Sequence, residues 1–200
     1  MKTFKQYLAE QIEDRVAVIA YGRYNPPTIG HQKLIDVIKD TALKNNAEGI
    51  IAPSHSQDKI KNPLSYNEKE EILKDMSKGV RIVDQGKTFI SLLQFLQQEG
   101  FTKIIHVAGS DRIPEFEKLV ETYNGKPDKK GVIPFNFNSY SFVSAGERDP
   151  DSEGVEGMSA SKLRQLATDG NLEEFKKGMS NTVSDDLKQK TYENIRGRIK

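Results

Sequence analysis

Thr28, Gly30 and His31 stand together in a T-I-G-H tetrad, just behind an Asn25-Pro26-Pro27 turn. An apolar, β-branched run from Val16 to Ala20 leads into that turn through Gly22-Arg23-Tyr24, and a segment of helical period follows it. Strand, tight turn and helix start suit anion binding: Gly22 and Gly30 let backbone approach a ligand, and a new helix offers unpaired N–H groups. The chemistry implied is the holding of phosphate. An ordinary helix cap with a packed imidazole would leave the same tetrad.

A second group lies far along the chain, where Met158-Ser159-Ala160-Ser161-Lys162-Leu163-Arg164 opens another helical segment. Hydroxyls at a helix start can bond around an anion favoured by the helix dipole, and Arg164, one turn inward, can reach back with its fork. Alone, this is also an N-cap with a surface arginine.

With both motifs in view, the chain resembles the nucleotidyltransferase superfamily, in which the first strand is followed by a G-x-F-x-P turn and an H-x-G-H or T-x-G-H signature. Ser159, Ala160 and Ser161 stand in register with the Ser-Ser-Thr of its other signature, I-S-S-T-x-I-R, with Ala160 the departure. Lys61-Asn62-Pro63-Leu64 to Glu70 resembles the N-P-[FL]…E segment of nicotinate and nicotinamide mononucleotide adenylyltransferases, and Ala108-Gly109-Ser110-Asp111 resembles their G-x-D. Glu156 to Ser161 also looks like the cytidylyltransferase signature R-T-E-G-I-S-T-[ST], but Gly154 stands where that signature has arginine, whereas Arg164 matches the arginine of the adenylyl form.

The resemblance implies transfer of a nucleotidyl group from a nucleoside triphosphate, ATP favoured, to a phosphorylated small molecule, nicotinamide mononucleotide foremost, with Mg²⁺ neutralising the triphosphate. It implies Thr28 and His31 at the α-phosphate, and Ser159, Ser161 and Arg164 at the β- and γ-phosphates. Gly22, Asn25 and Gly30 would line the nucleotide, with Gly109 and Asp111 near base or ribose. Asp111 is equally readable as a helix cap. Arg23 points to a substrate phosphate or to solvent, and Lys59 and Lys61 close over the phosphates or belong to a solvated loop. A cytidylyltransferase using a phosphorylated alcohol, and a non-catalytic nucleotide-binding or structural protein, are the alternatives. No G-x-G-x-x-G follows the first strand, which argues against a dinucleotide-binding oxidoreductase.

Stepping along the chain, further strands are expected at Gly49 to Ala52, Val80 to Val83, Lys103 to Ala108 and Tyr140 to Val143. Helices are expected from His31 to about Asn45, from Tyr66 to Met76 behind a Ser65–Glu68 capping box, from Thr88 to Gln98, and from Pro114 to Tyr123. Residues Gly125 to Asn138 read as a surface loop or irregular edge, Ala145 to Gly157 as a Gly-rich acidic loop, and Leu172 to Gly178 with Ser184 to Arg196 as a helical tail. Such alternation predicts an α/β, Rossmann-like, doubly wound and mostly parallel sheet with ligands at the strands' carboxyl ends. The expected organisation is one domain over residues 16–200, including a tail over 171–200, behind an N-terminal leader or docking helix in residues 1–15.

Composition narrows the field. Without cysteine there are no disulfides or thiolates, and three scattered histidines do not make a structural zinc site. No metal-ligating set is read from the protein. Thirty basic against 29 acidic residues, net +1, argue against a general nucleic-acid or membrane-surface binder, and no apolar run approaches the roughly 20 residues a membrane span needs. Met1 to Glu10 places Phe4, Tyr7 and Leu8 on one helical edge. It resembles the leaders that direct internal head proteins of large tailed phages into the assembling capsid, cut after a sequence such as Leu8-Ala9-Glu10. That implies a capsid scaffold as partner and a host-cell cytoplasmic protein that is packaged in the virion; a helix docked on its own domain is the other reading.

Overall fold

The computed structural model describes residues 14–85, 87–146 and 158–199. Strands β1 (Val16–Gly22), β2 (Glu48–Pro53), β3 (Arg81–Ile82), β4 (Lys103–Ala108) and β5 (Ser139–Ser144) alternate with helices α1 (Ile29–Lys44), α2 (Tyr66–Met76), α3 (Phe89–Gln98) and α4 (Ile113–Tyr123). Three helices follow, α5 (Ala160–Asp169), α6 (Leu172–Gly178) and α7 (Asp185–Ile199). The strands form a five-stranded parallel sheet in the order β3-β2-β1-β4-β5. This is the expected Rossmann-like arrangement with C-terminal helices.

Side chains alternate across a strand, so each strand feeds two cores. Val18 and Ala20 of β1 face α1, α2 and the C-terminal helices, through residues such as Ile35, Ile38, Leu73, Leu163, Phe175 and Ile195. Ala17 and Ile19 face α3 and α4, through residues such as Phe89, Leu92, Leu96 and Phe116. A fully buried isoleucine or leucine contributes about 1.5–3 kcal/mol. The chain leaves β1 toward β2 on one side and returns to β4 on the other, opening a crevice at the carboxyl end of β1.

Several boundaries differ from expectation, each for a physical reason. The third strand shrinks to Arg81–Ile82, the two residues that pair with Ile50 and Ile51: the Val80 N–H turns back to the Ser77 carbonyl at 2.7 Å, and Val83 keeps only its donor bond to Ile51 O at 2.9 Å. The fifth strand lengthens to Ser139–Ser144 and pairs with the whole of β4. The stretch Gly125 to Asn138 is not simply a surface loop: Phe135 and Phe137 are buried against the α3/α4 face, and Asn124 fastens both ends of the Phe137 peptide with its amide. The capping box at Ser65 forms as expected, with Glu68 accepting the Ser65 N–H at 2.8 Å.

At the amino end of the sheet, Asp14 pairs with Lys103 at 2.7 Å and Arg15 lies over the Phe101 ring at 4.4 Å. The leader or docking helix expected in residues 1–15 falls, up to residue 13, outside the described residues, as does the Gly154 to Gly157 part of the cytidylyl signature. No described helix is long and apolar enough to cross a membrane.

One tight contact links this packing to the phosphate motifs. A Cβ on Gly178, at the end of α6, would meet Leu163 Cδ2 and Met158 Cγ at 2.7 Å each. Leu163 is fully buried and Met158 immediately precedes Ser159. Gly178→Ala is therefore expected to lower unfolding stability by about 1–3 kcal/mol, measured by urea denaturation; an unchanged midpoint would show that α6 has slack.

Candidate active site

Thr28 is the N-cap of α1 and Ser159 the N-cap of α5. Their helices start side by side, since a Cβ on Gly30 would lie 3.9 Å from the Met158 carbonyl oxygen. The leading amides, of Ile29 and Gly30 on α1 and of Ala160 and Ser161 on α5, have no carbonyl one turn back to accept them. Neither helix carries an acidic residue in its first turn, unlike α2, α4, α6 and α7, so both positive dipole ends keep their field.

His31 and Thr28 are locked to each other. The Thr28 backbone N–H donates to His31 Nδ1 at 2.9 Å, and the Thr28 hydroxyl lies 2.9 Å from the same nitrogen. Since Nδ1 accepts, the imidazole proton sits on Nε2. The Tyr24 ring, 4.8 Å away centre to centre, fixes the imidazole plane. Cap and phosphate donor, alternatives in the sequence, are thus compatible in one residue. Thr28 is only 2% exposed and its hydroxyl is turned to His31, so its task is to orient the imidazole.

Arg164 joins the two motifs. It donates to the Asn25 backbone carbonyl at 2.7 Å and to Ser161 Oγ at 3.0 Å. Partial burial and the neighbouring Arg23 guanidinium hold its pKa below the usual arginine value, with Asp58 acting in the other direction. Two guanidiniums converging beside two helix N-termini make a field that an oligophosphate would relieve. Ser159 Oγ accepts the Lys162 N–H at 3.1 Å and so shapes the helix start.

The other expected residues divide. Asn25 is buried, and its amide is spent on the Leu64 backbone, donating to Leu64 O at 2.8 Å and accepting from Leu64 N at 2.9 Å. Gly22 admits the Tyr24 ring, which a Cβ would meet at 3.2 Å, so its close approach serves packing. Gly109 and Asp111 follow β4, one strand over from β1; Asp111 is exposed and Arg112, not Asp111, occupies the N-cap of α4. Lys59 and Lys61 are exposed on a loop organised by Asp58, which accepts from the Ile60 and Lys61 amides and from the Asn62 side chain. Those donors hold the Asp58 carboxyl down at about 2, so it stays charged beside Arg164.

Lys69 was not foreseen. It is fully buried in α2 and donates to the Ser54 carbonyl, while the Ser54 N–H bonds Gly22 O at 2.8 Å. Burial lowers its pKa to about 8. A signal existed: Lys69 lies on the apolar stripe that continues through Ile72, Leu73 and Met76.

This fold and site define an α/β protein whose switch-point crevice brings two helix starts and Arg164 together. A sequence profile described as cytidylyltransferase-like matches residues 19–166, and the chain belongs to that family of nucleotidyltransferases. No curated protein matches it. Among solved structures it is similar to Plasmodium falciparum nicotinic acid mononucleotide adenylyltransferase, complexed with NaAD and with APC, at 17% identity and TM-score 0.58, covering 90% of this chain and 98% of that one. It is also similar to Thermotoga maritima TmcAL, at 15% identity and TM-score 0.56, over 93% of this chain and 58% of that one. At these identities the likeness is one of fold.

The Asn25 clamp yields a direct test. Asn25→Ala strips both partners from the buried Leu64 peptide, and thermal or urea unfolding is expected to show a loss of about 1–3 kcal/mol. Wild-type stability would mean that the loop holds without the clamp.

Proposed function

We propose that the chain transfers an adenylyl group from ATP to a phosphorylated small molecule, nicotinamide mononucleotide being the leading acceptor, with release of pyrophosphate. The observation that carries this reading is the convergence of His31, Arg164 and two helix N-termini in one crevice. The complexes of the Plasmodium enzyme with NaAD and APC support a nucleotide in this kind of crevice.

In this reaction an acceptor phosphate oxygen forms a bond to the α-phosphorus as the bond to the β-phosphate's bridging oxygen breaks. The electron pair leaves with pyrophosphate. The nucleophile is already ionised at pH 7, so the protein supplies no base; it positions both phosphates and stabilises charge as it develops. His31 Nε2–H donates to the transferring group, with Thr28 and Tyr24 holding the ring. Arg164, Arg23 and the amides of Ala160 and Ser161 hold the β- and γ-phosphates. Lys59 and Lys61 close over them, and Gly109 and Asp111 stand toward base and ribose.

Mg²⁺ supplies charge neutralisation when it is bound to the triphosphate. Among the described residues no group of three His, Asp or Glu side chains forms a cage, and Asp58 is committed to its own loop.

The cytidylyl alternative rests on Glu156-Gly157-Met158-Ser159-Ala160-Ser161, and is weighed against by Gly154. Residues 1–10 carry the further proposal of packaging with a phage capsid, which a mature chain beginning at Gln11 in mass spectrometry would support. For the main reading, pyrophosphate release and product mass are measured with each nucleoside triphosphate and a panel of phosphorylated acceptors. ATP with nicotinamide mononucleotide is expected to give the dinucleotide, and release with CTP alone would replace the reading. No release with any triphosphate would favour a non-catalytic protein. His31→Ala is expected to lower kcat by about 10²–10³ while folding normally, and Arg164→Lys to weaken triphosphate use because the fork is lost. Near wild-type kinetics in either variant would remove that residue from the site.

A further inference from the structure

The C-terminal helix α7 reaches the Arg164 contact through hydrogen bonds joined by the Pro63–Ser65 backbone. Arg198 Nη1 donates to the Pro63 carbonyl at 2.7 Å, and its two nitrogens grip the Glu68 carboxylate at 2.7 and 2.9 Å. Asn194 donates to the same carboxylate at 2.7 Å. Glu68 in turn accepts the Ser65 N–H and hydroxyl, at 2.8 and 2.7 Å, closing the cap of α2. Between Pro63 and Ser65 lies Leu64, whose peptide groups are clamped by Asn25, and the Asn25 carbonyl receives Arg164.

We propose that Arg198 is a positioning residue for triphosphate binding, acting through Glu68, Leu64 and Asn25 on the aim of Arg164. The proposal rests on the phosphate reading given above. Asn25 meets Leu64 through both ends of a buried side-chain amide, so a displaced Leu64 backbone either breaks this pair or pulls Asn25 with it. The Asn25 carbonyl then offers Arg164 a shifted partner, and a guanidinium fork tolerates misalignment poorly. Glu68 supports the arrangement: burial opposes its charge, but the Arg198 and Ser65 donors outweigh this and hold its carboxyl below the usual range.

The same α7–α2 interface supplies a control. Lys190 pairs with Glu71 at 2.9 Å, an exposed ion pair with no bond to the Pro63–Ser65 segment. If α7 acted only by docking, Lys190→Ala and Arg198→Ala would have similar consequences.

The test is a double-mutant cycle read by calorimetric titration with inorganic tripolyphosphate, which requires neither a base nor catalysis. Arg198→Ala is expected to weaken binding about three- to tenfold when Arg164 is present and to add nothing in the Arg164→Ala background. Lys190→Ala is expected to leave binding unchanged. Arg198→Lys and Glu68→Gln, gentler changes that each lose part of the fork, repeat the cycle should Arg198→Ala fail to fold. Equal losses with and without Arg164, no loss with Arg164 present, or an equal loss in Lys190→Ala would overturn the proposal. A wild-type chain that ignores tripolyphosphate would overturn the phosphate reading first and this proposal with it, a failure distinct from a cycle that shows no coupling.

Discussion

Arg164 donates to the backbone carbonyl of Asn25 across 139 positions of sequence, and the candidate site depends on that contact. It ties the start of α5 to the turn after β1, so that two helix N-termini share one crevice. A guanidinium held this way stays aimed before any ligand arrives. That preorganisation is what an electrostatic site needs, because donors fixed in advance need not reorganise when charge develops. Asn25 is itself held by Leu64, and Leu64 lies in a segment braced by the cap of α2 and by Arg198.

The same logic governs the histidine. A ring free to rotate would present either nitrogen, and its donor would be lost part of the time. Thr28 removes that freedom by occupying Nδ1, which leaves the proton on Nε2. The α1 cap and the donor that the proposed reaction needs are one arrangement, in which the buried threonine holds the imidazole. Positive charge is spread over Arg23, Arg164 and the helix dipoles, while Asp58 tempers it from the neighbouring loop. The local field is thus large in a chain whose formal net charge is only +1.

Much of the fold was legible because its signals are periodic. The β-branched run at Val16, the Ser65–Glu68 cap and the apolar stripe of α3 each read directly as strand, cap and helix. The burial of Phe135 and Phe137 is not legible because the Lys, Gly, Pro and Asn residues around them mark a loop or irregular edge, and only tertiary packing tells which of its aromatics are buried. The meeting of two helix starts with Arg164 rests on residues that the sequence marks locally, since caps and arginines advertise themselves. What could not be read was the division of labour. Asn25, Thr28 and Gly22 sit in the motif as ligand residues would, yet their partners are Leu64, His31 and the Tyr24 ring. Two of these three contacts lie within three residues; the Leu64 contact spans 39 and depends on the crossover from β2 to α2.

The central claim is that one crevice grips a triphosphate between α1, α5 and Arg164. Its most direct test is a crystal structure of the chain with ATP and Mg²⁺. The α-phosphate is expected within hydrogen-bond reach, about 3 Å, of His31 Nε2, with the outer phosphates against Arg164 and the amides of Ala160 and Ser161. A triphosphate bound elsewhere, or in the crevice with His31 and Arg164 both out of reach, would contradict it.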